Sequence, residues 1–169
     1  DKEAFTTLML SLEKELYNVA KVRLRNDDDI YDAIQETTIK AFKSVKKLKQ
    51  NQYFKTWIIK ILINESNNIY RRKNKRRIIS FEELENDREI EYSNIDNIEI
   101  TLDFNFICNK LKYEDRIIII LYYMEKFTDK EIGEILNLKE NTIKTKRARA
   151  KQKIKKILGL GGKYNGWIR

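Results

Sequence analysis

Not one of the 169 residues is proline, and apolar side chains recur at three- and four-residue spacing along most of the chain. Proline ends helices because it lacks an amide donor and clashes with the turn before it. A chain free of it and patterned at the helical period is expected to be all-α. Its length suits one ordinary domain or two small ones, and 41% hydrophobic residues suffice for a core.

Charge divides the chain more sharply than apolarity does. Residues 1–36 carry nine acids and five bases, and residues 37–77 carry one acid, Glu65, and thirteen bases. Between 78 and 99, eight acids face one base, Arg88, and the helical period lapses. The last 34 residues return to eleven bases against one acid. The pattern is a doublet: helices leading into a basic segment, twice, across an acidic connector. Two small helical domains are therefore expected at 1–77 and 101–158, joined by an acidic flexible linker at 78–100 and followed by a glycine-rich tail at 159–169. No role is assigned to the tail.

Several classes of function fall away. With no histidine and a single cysteine, Cys108, the common zinc-ligand sets and any intrachain disulfide are missing. The usual general base is missing too, and there is no glycine-rich phosphate loop or nucleophile elbow, so no enzyme, cofactor or metal is expected. The apolar runs at Ile58 to Ile63 and Ile117 to Met124 fall far short of the roughly 20 residues a spanning helix needs. There is no signal-peptide pattern, and a reducing cytoplasm fits best. A net charge of +9 points to a polyanionic partner, nucleic acid or an anionic membrane surface.

The first domain reads as three helices. One stripe runs through Phe5, Leu8, Leu12, Leu16, Val19 and Ala20. A second helix follows Asp27 to Asp29, whose charge suits a helix N-terminus, with Ile30, Ala33, Ile34, Thr37, Ala41 and Val45 inward. The third starts apolar at "FKTWIIKIL", ends basic at "YRRKNKRR", and leaves Lys60, Asn64, Asn67, Asn68, Arg71 and Arg72 toward solvent or a ligand. Tyr53 and Phe54 beside a polar loop suit stacking by unpaired bases, whereas Trp57 suits the core.

In the second domain "RIIIILYYMEKF" reads as one apolar helix. Thr128 and Glu131 make a capping box, Asn137 suits a left-handed stop, Leu138 is expected inward, and a basic helix follows about three residues later. A short helix, a tight turn and a basic helix make a helix-turn-helix. The stretch "NLKENTIKTKRARAKQKIKK" holds nine bases against one acid, with Ile143, Ala150 and Ile154 as a thin docking stripe. Such a stripe is too narrow for membrane insertion. Asn141, Thr142, Lys144, Thr145 and Lys146 mix short hydrogen-bonding groups with cations, as base edges and phosphates respectively require. Lys151 and Lys153 suit phosphate anchoring.

"DAIQETTIKAFKSV" with "FKTWIIKILINESNNIYRR" resembles the second conserved region of bacterial RNA polymerase sigma factors of the extracytoplasmic-function group. "LKYEDRIIIILYYMEKFTDKEIGEILNLKENTIKTKRARAKQKI" resembles the fourth. The resemblance implies a DNA-binding promoter-specificity subunit that initiates transcription with core RNA polymerase; a stand-alone helix-turn-helix regulator is the alternative. It implies that Asp32, Gln35, Glu36 and Lys40 meet the polymerase coiled coil. Asn51, Gln52 and Tyr53 would capture a flipped base of the minus-ten element, beside Lys60, Asn64, Asn67, Arg71 and Arg72. Asn141, Thr142, Lys144, Thr145, Lys146 and Arg149 would read promoter DNA at the minus-thirty-five element. An anti-sigma factor is implied as a further partner, often membrane-anchored, holding the chain at the inner face of the membrane without direct insertion, with Ile117, Ile120 and Tyr123 as candidates for its groove. The linker acids either thread a basic channel of the polymerase or form a plain tether. Relatives usually carry an apolar residue where this chain has Arg147, which either lays its stem along the apolar face or marks a rotated helix.

Overall fold

The computed structural model describes residues 2–48, 50–80 and 108–157, with the backbone alone at 76–80, and every regular element among them is helical. The acidic linker beyond Ser80 and the glycine-rich tail lie outside the described residues.

The first domain holds α1 (Lys2–Ser11), α2 (Glu13–Lys21), α3 (Asp27–Ser44) and α4 (Phe54–Ser80). The expected single N-terminal helix is broken at Leu12. Its N–H turns to the Met9 carbonyl three residues back, tighter than an α-turn, and the Ser11 hydroxyl donates to the Leu8 carbonyl. The break shifts the stripe, so Met9 is buried and Leu8 exposed, contrary to the sequence expectation. At α3, the Asn26 side chain accepts from the Asp28 amide at 2.8 Å and caps the helix. Ile30, Ala33, Thr37 and Ala41 are fully inward, and Thr37 is satisfied by donating to the Ala33 carbonyl. The small Ala33 and Ala41 let α4 approach closely, and Ile58, Ile59, Leu62, Ile63 and Ile69 fill the space between. Each such side chain stabilises by about 2 kcal/mol, so α4 is anchored along its N-terminal half and carries its basic half outward. α4 runs to Ser80, past the Arg77 boundary set by charge.

The second domain holds α5 (Tyr113–Ile119), a π-turn at Ile120–Met124, α6 (Asp129–Leu136) and α7 (Glu140–Ile157). The apolar run is thus a helix that widens, not one uniform helix. Ile117 to Leu121 are all buried, which overturns Ile117 and Ile120 as walls of an exposed groove; Tyr123 is half-buried. Lys126, at φ 62, reverses the chain toward α6. Thr128 Oγ1 accepts from the Glu131 amide and Glu131 Oε2 accepts from the Thr128 amide, completing the capping box. Asn137 takes the left-handed conformation at φ 56. Leu138 is 40% exposed, not inward. Its N–H bonds to the Gly133 carbonyl, and a Cβ at Gly133 would lie 2.6 Å from the Leu138 oxygen, so this turn seats backbone on backbone and turns the leucine out. Ile132, Ile135, Ile143, Ala150 and Ile154 close the core.

The two domains touch. α4 lies against α6, and the Arg23 guanidinium sits between the rings of Tyr70 and Tyr113, 3.6 and 4.2 Å from their centroids. Asn18 Nδ2 donates to Glu125 Oε1 at 3.4 Å, and Lys55 stands over the Phe127 ring.

Candidate nucleic-acid interface

α7 turns Ile143, Ala150 and Ile154 inward, and at about 100° per residue the opposite face carries Asn141, Thr145, Ala148, Arg149 and Gln152, all exposed. Three of these, Asn141, Thr145 and Arg149, are among the residues expected from sequence. Ala148 and Gln152 were missed, although their spacing from Asn141 and Thr145 is the same three-and-four rhythm. Thr145 Oγ1 donates to the Asn141 carbonyl at 2.9 Å, which leaves its oxygen as an acceptor. Thr142 and Lys146 are only half exposed, on a flank.

Four cations of α7 are met by acids of its own domain: Lys144 by Glu140, Lys146 by Glu114, Arg147 by Asp129 and Lys153 by Asp115. Donating to the Glu140 carboxylate holds the Lys144 ammonium above its ordinary range, and Lys146, donating to Glu114, holds that carboxyl below its own. Exposed ion pairs contribute about 0–1 kcal/mol, so Lys144 and Lys146 can exchange these carboxylates for phosphates. Lys153 and Arg147 are different. The Asp115 and Asp129 side chains are 11% and 10% exposed, and a buried carboxylate left unpaired is penalised. Lys153, expected from sequence to anchor phosphate, is thus tied to a buried carboxylate whose loss of partner would be costly.

On the first domain, Lys60, Asn64, Asn68, Arg71 and Arg72 are exposed along one side of α4. Among the described residues, Lys60, Arg71 and Arg72 have no carboxylate within 4 Å. Arg71, Arg72 and Lys75 line a shallow groove of about 470 Å³ with Asn68 and the Lys40–Glu65 pair. Asn67 is half-buried, because its side chain hydrogen-bonds the Tyr113 hydroxyl across the domain contact. Asn51, Gln52 and Tyr53 form an exposed 3-10 turn ahead of α4, with the Tyr53 ring 44% exposed. Phe54 is buried between Phe5 and Trp57 and cannot stack on bases, which overturns that expectation.

Asp32, Gln35 and Glu36 are exposed on the outer side of α3. Lys40 turns instead toward α4, 2.7 Å from Glu65. Sequence reasoning missed Tyr31, Ile39 and Phe42, large side chains at least 40% exposed beside Gln35 on that face. Their signal was an apolar set out of phase with the inward stripe. Mixed apolar and polar side chains of this kind suit a protein partner. The Cys108 thiol is buried and pushed up to about 12 by desolvation, so it is inert at neutral pH.

Family models of "Sigma-70 region 2" and "Sigma-70, region 4" match residues 8–77 and 107–154. The chain is 31% identical over 152 residues to the RNA polymerase sigma factor SigV of Bacillus subtilis, covering 88% of this chain and 87% of that one. It is 28% identical to the ECF RNA polymerase sigma factor SigW of the same organism, covering 94% and 90%. Among solved structures, the sigma factor RpoE in complex with the anti-sigma factor NepR from Bartonella quintana has a TM-score of 0.76 at 22% identity, covering 94% of this chain and 99% of that one. CnrH in complex with the cytosolic domain of CnrY has a TM-score of 0.66 at 19% identity, covering 94% and 89%. The match across 8–77 disfavours a stand-alone helix-turn-helix regulator.

Proposed function

The chain belongs to the extracytoplasmic-function group of sigma factors, which direct core RNA polymerase to promoters, and on that premise we propose a division of labour between its two domains. The first holds polymerase through Asp32, Gln35 and Glu36, joined by Tyr31, Ile39 and Phe42. It takes the minus-ten element with the Asn51–Tyr53 turn and with Lys60, Asn64, Arg71 and Arg72. The second reads the minus-thirty-five element with Asn141, Thr145 and Arg149, flanked by Lys144, Lys146 and Thr142. The observation that carries this is the pair of solvent-facing polar and basic helix faces, one per domain, each backed by buried apolar side chains.

Duplex opening costs about 1.4 kcal/mol per base-pair step, and an exposed Tyr53 beside amide side chains suits trapping a flipped base that offsets part of it. Asn67 joins this face when the domain contact opens. The anti-sigma partners in the two similar solved complexes support a partner of that kind here. Among the described residues no helix is long and apolar enough to cross a membrane. The chain acts in the cytoplasm on this reading, and a membrane-anchored inhibitor would hold it at the inner face.

Run-off transcription with core polymerase over a promoter library tests the proposal. Transcripts that require the added chain, and that vanish on Asp32→Ala with Gln35→Ala, are expected. Transcription indifferent to the chain, or indifferent to that double change, removes the assignment.

A further inference from the structure

Arg147 lies on α7 between Ile143 and Ala150, in the stripe that faces α6. An apolar residue there would dock by contact alone. Instead the guanidinium is forked: Nε donates to Asp129 Oδ1 at 2.8 Å and Nη2 to Oδ2 at 2.7 Å. Its Cζ lies 3.9 Å from the centroid of the Tyr122 ring, with Tyr123 close enough to act on the same guanidinium. The π-turn at Ile120–Met124 brings both tyrosines to this place. Asp129 is the first residue of α6, so its carboxylate also suits the helix N-terminus. The cluster therefore ties α7 to the start of α6 and to the π-turn at one point.

The geometry points to Arg147 as the positioning residue of the reading helix: its fork on Asp129, laid on Tyr122, sets the rotation at which α7 presents Asn141, Thr145 and Arg149 to base edges. Thr145 and Arg149 stand two residues to either side of Arg147, about 200° around the helix, so Arg147 itself faces away from DNA. Apolar packing tolerates sliding, whereas a two-bond fork fixes direction as well as distance. With side chains reaching about 6 Å from the axis, a 20° rotation displaces their ends by about 2 Å. That is the difference between a base-edge hydrogen bond and none.

This inference rests on α7 being the base reader, and its test separates the two. Full chain and core polymerase are assembled with Arg147→Lys, Arg147→Leu, Asp129→Asn or Arg149→Ala. Occupancy is measured on a cognate upstream element and on one carrying a single base substitution, each normalised to a template with a scrambled upstream element. Arg147→Lys keeps the charge but loses the fork, and Arg147→Leu restores an apolar contact, so at least one folded variant is available, with folding read from thermal unfolding. The ratio of cognate to substituted occupancy is expected to fall about tenfold in both, the factor a mismatched base pair carries, with Asp129→Asn falling in the same direction. A parental ratio in the folded Arg147 variants, while Arg149→Ala lowers it, overturns the positioning role. An equal fall on both elements also overturns it, because that is loss of structure without loss of discrimination. A ratio unmoved by Arg149→Ala overturns the reading face and this inference with it.

Discussion

α4 and α7 are both basic helices with one apolar side, but they balance their charge differently. Along α7, Lys144, Lys146, Arg147 and Lys153 are each met by a carboxylate of the same domain. Along α4, Lys73 pairs with Asp29, while Lys60, Arg71 and Arg72 stand exposed. On the proposed function, these ion pairs would hold the reading helix of the small second domain at the fixed angle a duplex major groove requires. α4 carries the pairs Lys55–Glu15 and Lys73–Asp29, but Lys60, Arg71 and Arg72 on its exposed side have no carboxylate partner among the described residues and, on the proposed function, remain for phosphates. Counting lysines and arginines therefore overstates the unpaired charge of both helices, and more so for α7, where four cations are paired, than for α4, where Lys55 and Lys73 are.

The largest test of this contrast is Gly133→Ala. A Cβ there meets the Leu138 carbonyl at 2.6 Å, so the turn must deform. A loss of about 1–3 kcal/mol is expected, confined to the second domain and accompanied by loss of upstream-element use. Amide hydrogen exchange resolved by domain checks it; equal loss of protection in α3 and α4 would break the claim that the second domain is held separately.

Salt dependence measures the contrast directly. Arg71→Ala and Arg72→Ala are each expected to lower the slope of log affinity against log salt by about 0.7–0.9, the full share of a phosphate contact. Lys153→Ala should leave the slope nearly unchanged while destabilising α7, because it strips Asp115 of its partner. Equal slopes for the two helices would erase the distinction.

A third test addresses the contact between the domains. Elements centred near minus ten and minus thirty-five lie about 25 base pairs, or about 85 Å, apart on a straight duplex. Yet Asn67 bonds Tyr113, and the neighbouring Glu114 pairs with Lys146 of α7, so the two reading faces stand much closer than that. On the proposed function, the Arg23 clasp would therefore have to open before both elements are held. Each cation–π contact is worth about 0.5–2 kcal/mol, and Arg23→Ala is expected to lengthen the distance between fluorophores on the two domains in the free chain. An unchanged distance would show that α4 against α6 suffices.

The smallest effect concerns Glu125, whose carboxyl is raised above its ordinary 4.5 by desolvation at the domain contact, opposed by the Asn18 hydrogen bond. A folded value above the unfolded one means that the packed state binds the proton more tightly, so stability falls as pH rises from 4.5 through the raised value. Glu125→Gln should flatten this part of the stability profile. An identical profile in the variant would place the pH dependence elsewhere.

The sequence by itself determined the all-α class, the two-domain doublet, the capping box at Thr128, the left-handed Asn137 and the basic helix after it, because each rests on local backbone chemistry and helical period. It also put Asn141, Thr145 and Arg149 among the candidate readers, though not apart from Thr142, Lys144 and Lys146. Only the tertiary structure decided which cations are already paired: Lys153 and Arg147 look like Lys151 and Arg149 in a string of letters, and Asp115 and Asp129 are distant along the chain. It likewise decided that Phe54 is core, Leu138 exposed and Asn67 engaged by Tyr113. Those outcomes depend on which elements come to lie together, and helical period carries no information about the neighbour a helix will find.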